Sequence, residues 1–228
     1  MIRLVASGQS NALGRDSRSH PPLSGRVQVW DSANDIETLD DLGSSYRLPE
    51  VTASPFARGA MSPLVFAAGA IAGQLDDDVS LVLVAKGATP VEKWSGPGRT
   101  AGPMYRRLLA VARRAGAHPY DALLWHQGEA DDKAADEYSA KFLQLVRSLR
   151  SEGVLGETAP VLVGETAAQW TNINAILRTL PDLDPTIRFV SLADLPTYDG
   201  VHFPAAAGPE IGRRYAEAFR RAAVTSPS

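Results

Sequence analysis

Two short segments at opposite ends of the chain carry residue types that together do acyl chemistry: Gly8-Gln9-Ser10-Asn11 and Asp199-Gly200-Val201-His202. A serine hydroxyl is a poor nucleophile until a base takes its proton, and the base needs an acceptor that fixes its tautomer. His202, three residues after Asp199, supplies base and acceptor on one short turn. Ser10 lies in the short polar segment after the apolar run Ile2 to Ala6, so its hydroxyl and amide lie where a strand becomes a helix. A helix N-terminus favours the negative charge that develops during attack on a carbonyl. Such a site also needs donors aimed at that charge. The Ser10 amide, the Gly87 amide and the side-chain amide of Gln127 are candidates. Each has a plainer reading. Ser10 fits a helix cap, Asp-Gly fits a surface turn, Gly87 fits a tight turn, and Gln127 fits structural hydrogen bonding.

Other chemistry is weaker. Glu129 and Asp131 invite a paired-carboxylate reading of the glycosidase type, against a solvated helix start or hydrogen bonding behind the site. Lys86 reads as a rim residue. His20 and His118 each precede proline in loops, and His126 lies at a strand end. No His-Glu-x-x-His or tight His/Asp cluster is present, so no metal is expected. The first strand–helix turn lacks Gly-x-Gly-x-x-Gly and a P-loop lysine, which argues against a phosphate or nucleotide cofactor. With no cysteine at all, disulfides, thiolate ligands and a cysteine nucleophile are excluded.

These residues need a scaffold. Ile2 to Ala6, Val79 to Ala85, Ala122 to Trp125, Val161 to Val163 and Ile187 to Val190 read as strands, short and apolar without alternation, as in strands buried on both faces. Tyr138, Phe142, Leu145, Val146 and Leu149 form a helical stripe, as do Ile211, Tyr215, Phe219 and Ala222. Pro63 to Leu75 and Pro103 to Ala115 open with a proline in the first turn, where its missing N–H costs nothing. Alternation at this spacing predicts an α/β fold: a three-layer α/β/α sandwich around a parallel sheet of about five strands. Residues 1–223 are expected to form one domain, with 224–228 a disordered tail. The stretch from Asn11 to Met61 breaks the pattern and reads as long loops with one short strand at Val27 to Trp30. In an open parallel sheet the site lies beyond the carboxyl ends of the strands. The segments after Ala6, Ala85 and Trp125, and the turn at Asp199, converge there.

Composition fits this frame. At 228 residues, 44% hydrophobic and 21% charged, the chain suits one globular domain. A net charge of -3 gives no general reason to bind nucleic acid or an anionic membrane. No run approaches the roughly 20 apolar residues of a membrane helix. Met1 opens into an apolar strand rather than a leader, which predicts a cytoplasmic protein unless a leader has been trimmed. Oligomeric state is not readable.

Taken in order, Gly8-Gln9-Ser10-Asn11, Gly87-Ala88-Thr89 with Trp94 beyond, Trp125-His126-Gln127-Gly128-Glu129-Ala130-Asp131 and Asp199-Gly200-Val201-His202 resemble the blocks of SGNH hydrolases. More narrowly they resemble the sialate O-acetylesterase and acetylxylan esterase branch, over residues 7 to 203. The resemblance implies a flavodoxin-like fold and an esterase that removes small acyl groups, above all acetyl from a carbohydrate, without a cofactor. It implies Ser10 as nucleophile, His202 as base, Asp199 as its partner, and Ser10, Gly87 and Gln127 as the oxyanion hole. Most SGNH enzymes use an asparagine in that last role; here the His-Gln-Gly-Glu block replaces it, which leaves Gln127 and Glu129 both open. Gln9, Asn11, Glu129 and Trp94 would bind substrate or support the site. Relatives often carry Gly-Gly where this chain has Gly87-Ala88. The competing readings are a lipid esterase or thioesterase on the same scaffold, and a carbohydrate-binding relative without activity. Trp30, Trp94 and Trp170 would stack on sugars or pack the core.

Overall fold

Apolar residues that do not alternate with polar ones are needed only where both faces of a strand are covered. The computed structural model, which describes residues 1–17, 26–31, 44–47, 60–96, 101–116 and 118–225, shows that covering residue by residue. Leu4 and Ala6 of β1 (Ile2–Gly8) join one apolar cluster, and Val5 joins the other. Leu81 and Leu83 of β4 (Val79–Ala85) face the first cluster, Val82 and Val84 the second. Strands β5 (Ala122–His126) and β6 (Val161–Gly164) divide in the same way. Helices α2 (Pro63–Leu75) and α6 (Gly208–Thr225) cover the first face. The second is covered by α3 (Pro103–Ala115), α4 (Tyr138–Ser151) and α5 (Thr171–Leu183).

The expected three-layer α/β/α sandwich is therefore present, with more strands than the expected five. Among the described residues the sheet has seven strands in the order β3-β2-β4-β1-β5-β6-β7, where β7 is Ile187–Val190. Strand β2 (Val27–Asp31) is the short strand anticipated from sequence and pairs parallel with β4. Strand β3 (Ser44–Arg47) lies in the stretch read as loop and pairs antiparallel with β2 at the edge. The other pairings are parallel. Much of 18–59, including His20, lies outside the described residues. Helix α6 runs to Thr225, two residues into the expected tail. No helix among the described residues is long and apolar enough to cross a membrane.

Strand β1 lies between β4 and β5, and from it the later strands extend outward in one direction while β2 lies in the other. Strand order reverses here, and the crevice at such a point takes ligands in open α/β sheets. Ser10 stands at its mouth.

Candidate active site

The turn that carries Ser10 is set by a glycine and a buried helix. At Gly8, the last residue of β1, φ is +144° and an added Cβ would lie 2.0 Å from the His126 carbonyl oxygen, so any side chain would collide with backbone. That approach lets the Gln9 amide donate to the His126 carbonyl at 3.1 Å. Helix α1 (Ser10–Leu13) then begins, all four residues buried. Ser62 ties it to α2: its hydroxyl donates to the Ala12 carbonyl at 2.5 Å and accepts from the Leu64 amide at 3.1 Å. The second of these bonds caps α2 ahead of Pro63.

Gln9 and Asn11, on either side of Ser10, each reach the segment after β5. Gln127 Nε2 donates to Gln9 Oε1 and to the Thr89 carbonyl at 3.1 Å each, and to Asp131 Oδ2 at 2.5 Å. An amide nitrogen carries two hydrogens. Three acceptors already share them and the side chain is fully buried. As placed, Gln127 braces Gln9 and Thr89 behind Ser10. Asn11 Nδ2 donates to Glu129 Oε1 at 2.6 Å. The other Glu129 oxygen is buried without a protein partner. Burial pushes the Glu129 carboxyl above its ordinary range; the bonds from backbone amides and Asn11 and the nearby His202 offset this only in part.

His202 and Asp199 stand on a more open loop. His202 Nδ1 lies 2.6 Å from Asp199 Oδ2, while Asp199 Oδ1 accepts from the amides of Val201 at 2.9 Å and His202 at 2.7 Å. Partial burial raises the Asp199 pKa, but the bonds from the His202 ring and the two amides outweigh it and bring the carboxyl down to about 2. The loop meets the turn of Ser10 through Asn11, whose Nδ2 also donates to the Val201 carbonyl at 3.0 Å and whose Oδ1 accepts from the Phe203 amide at 3.1 Å. Asn11 thus grips the residues on both sides of His202, across 190 positions of chain. Asp16 adds a bond from the Ala205 amide at 2.8 Å.

The structure brings together Gln9, Ser10, Asn11, Gln127, Glu129 and the 199–202 loop. It does not bring Trp94 to a substrate. That residue is fully buried, edge-on to Trp125 at 5.6 Å, and its ring N–H donates to Thr89 Oγ1 at 3.1 Å. Its contribution is to hold Thr89, whose carbonyl holds Gln127. Gly87 lies in the turn after β4, where the Arg15 guanidinium occupies the space of a side chain, 2.0 Å from an ideal Cβ. Asp131 accepts the Val91 amide at 3.0 Å and so caps a short helical turn, which removes it from a carboxylate pair. His126 is fully buried beneath the site, edge-on to Phe203 at 5.8 Å, and burial lowers its pKa to about 4. Sequence reasoning missed the clamp by Asn11, the Thr89 link and Tyr198, which stacks on His202 at 6.1 Å and 28°. Only the spacing of Tyr198 from His202 signalled it. A cavity of about 390 Å³ between β7 and α6, lined by Arg188, Arg213, Arg214 and Arg221, contains none of these groups.

Residues 4–221 match the family described as carbohydrate esterase, sialic acid-specific acetylesterase. No curated protein sequence matches the chain. Among solved structures, a protein of Arabidopsis thaliana is similar over 96% of this chain and 98% of its own, at 19% identity and a TM-score of 0.74. A carbohydrate acetylesterase from Xanthomonas citri is similar over 99% of this chain and 57% of its own, at 16% identity and a TM-score of 0.77. NanS is similar over 96% of both chains, at 16% identity and a TM-score of 0.68. At such identities the likeness carries the fold.

Proposed function

The chain belongs to the sialic acid-specific acetylesterase family of carbohydrate esterases, and from that premise we propose that it removes O-acetyl groups from a saccharide through an acyl-enzyme on Ser10. The observation that carries this reading is the Asn11 clamp, which pins the loop of Asp199 and His202 against the turn of Ser10. His202 Nδ1 is engaged by Asp199, which leaves Nε2 to take the Ser10 proton as Oγ bonds to the acetyl carbon. Asp199 stays ionised throughout and stabilises the imidazolium that forms. The Ser10 and Gly87 amides donate to the tetrahedral oxyanion. As the intermediate collapses, the C–O bond to the sugar breaks and His202 returns its proton to the departing alkoxide oxygen. Water, deprotonated by His202, then attacks the acetyl-serine, and acetate leaves as the bond to Ser10 Oγ breaks and His202 returns that proton to Oγ.

The test is Ser10→Ala on an acetylated saccharide and on nitrophenyl acetate, with labelling by a fluorophosphonate read by mass spectrometry. Turnover is expected to fall by about 10⁴-fold or more with the fold intact, and the label is expected on Ser10. Unchanged turnover, or a label on another serine, overturns the assignment.

A further inference from the structure

We propose that Tyr198 is the platform on which the acyl-bearing sugar ring stacks, so that the alcohol half of the substrate is recognised as a pyranose. The inference rests on the reading of His202 as the base that returns a proton to the leaving oxygen. That role fixes where the sugar must be. The oxygen receiving the proton has to lie within hydrogen-bond reach of the imidazole, and the ring bearing it follows within one or two bonds. The surface beside the imidazole is therefore the surface that meets the sugar.

Tyr198 is that surface. Its ring stacks on His202 with centroids 6.1 Å apart and planes 28° apart. It stays 44% exposed, and it is the one aromatic among the large hydrophobic side chains exposed in the described residues. Its position is not accidental to the loop: its amide donates to the His202 carbonyl at 3.0 Å, so the loop that aims the imidazole also aims the tyrosine. An aromatic face packs against the C–H face of a pyranose. The tryptophans do not compete. Trp94 is fully buried, and Trp30 and Trp170 pack against the core.

The experiment compares an O-acetylated methyl pyranoside with ethyl acetate, which presents the same acyl group and no ring, for the wild type, Tyr198→Ala and Tyr198→Phe. The quantity read is the ratio of kcat/KM on the two esters. Tyr198→Ala is expected to lower that ratio about tenfold, mainly through a higher KM for the pyranoside; that is about 1.4 kcal/mol, within the range of aromatic packing. Tyr198→Phe keeps the ring and is expected to retain most of the ratio. Equal losses on both esters mean that Tyr198 only positions His202, and overturn the proposal. So does a preference for the pyranoside that survives in Tyr198→Ala. A wild type that does not prefer the pyranoside fails the carbohydrate reading itself, and the platform falls with it.

Discussion

The two halves of the site are built in opposite ways. Ser10 sits on a buried helix, between two side chains sewn into a polar network in which Gln9, Asn11, Gln127, Glu129 and Asp131 are all nearly or fully buried. His202 and Asp199 sit on a loop where the imidazole is 22% and the carboxylate 39% exposed, held by the loop's own amides and by Asn11. In a low-dielectric interior every further lost partner is costly, so the first half is unforgiving. A loop at the surface tolerates change and takes its precision from a few anchors. Changes on the loop are thus expected to damage chemistry while sparing the fold, and changes in the network to damage both.

Asp199→Asn gives the largest separation of the two. The asparagine oxygen can still accept the amides of Val201 and His202, but its NH₂ group then faces His202 Nδ1 and forces the proton onto the other nitrogen. The base is lost, and kcat is expected to fall by roughly 10⁴-fold, as for the equivalent change in serine proteases. Stability is expected to fall by only about 1 kcal/mol, because the backbone bonds survive, though without the charge that strengthened them. Steady-state kinetics together with denaturant midpoints check both. A large loss of stability would mean that the loop is part of the unforgiving half.

Asn11→Ala crosses the boundary. It deletes the bonds to Glu129, Val201 and Phe203, and leaves the buried Glu129 carboxyl with less support. The expected cost is about 2 to 4 kcal/mol of stability with a drop in kcat of roughly 10²-fold, the effect of a base displaced by about 1 Å. Native turnover at a temperature where the variant remains folded would show that the loop finds its place without the clamp.

His126 distinguishes the halves by pH. Its folded pKa is about 4, whereas the unfolded imidazole titrates near 6.5. Above about 6.5 both states are neutral and the residue adds no pH dependence. As pH falls from there the unfolded chain takes up a proton that the folded chain refuses, so stability drops, by about 3 kcal/mol in all once pH reaches about 4. His126→Asn, which has no titrating group, is expected to flatten that slope in chemical denaturation across the window, whatever constant penalty it carries. Parallel slopes for the two proteins would mean that the buried imidazole is protonated or solvated after all.

What could be read from the sequence divides along the same line. The turn residues Ser10, Gly87, Asp199 and His202 stand out as candidates because the pattern that marks them is local: a short spacing or a strand end suffices. The doubly covered sheet is equally legible, since Leu81 to Val84 have no polar face to offer solvent. The clamp by Asn11 is not, because it joins positions 190 apart and nothing near residue 11 names its partners. Gln127 and Trp94 stay ambiguous for a related reason: an amide or an indole looks the same in sequence whether it faces a ligand or a neighbour. Helix α5 is harder to read: Ile173, Leu177 and Leu180 repeat on one face, but Pro181 near its end masks the pattern. Strand β3 lies among Gly, Pro and Ser, and an antiparallel edge strand needs little apolar patterning of its own.

The smallest effect is expected at the rim between the halves. Ala88 has φ of +56°, a left-handed conformation that costs a residue with a Cβ about 1 to 2 kcal/mol. Glycine would remove that strain but would also give the unfolded chain more freedom, worth about 0.4 to 1 kcal/mol. The difference favours the folded protein by about 0.5 to 1 kcal/mol, which for a chain of this length raises Tm by roughly 2 to 4 °C per kcal/mol. The side chain is exposed, so no cavity opens. Because Thr89 Oγ1 donates to the Lys86 carbonyl at 2.7 Å across the turn, the turn has a restraint that does not depend on residue 88. Ala88→Gly is therefore expected to raise the melting temperature while turnover stays within about twofold, since the loop is the tolerant kind of surface. A lower Tm would mean that the alanine is not held left-handed. A large loss of kcat with a higher Tm would mean that the methyl group, not the Thr89 bond, keeps the Gly87 amide aimed, and would move this turn from the forgiving half of the site to the unforgiving one.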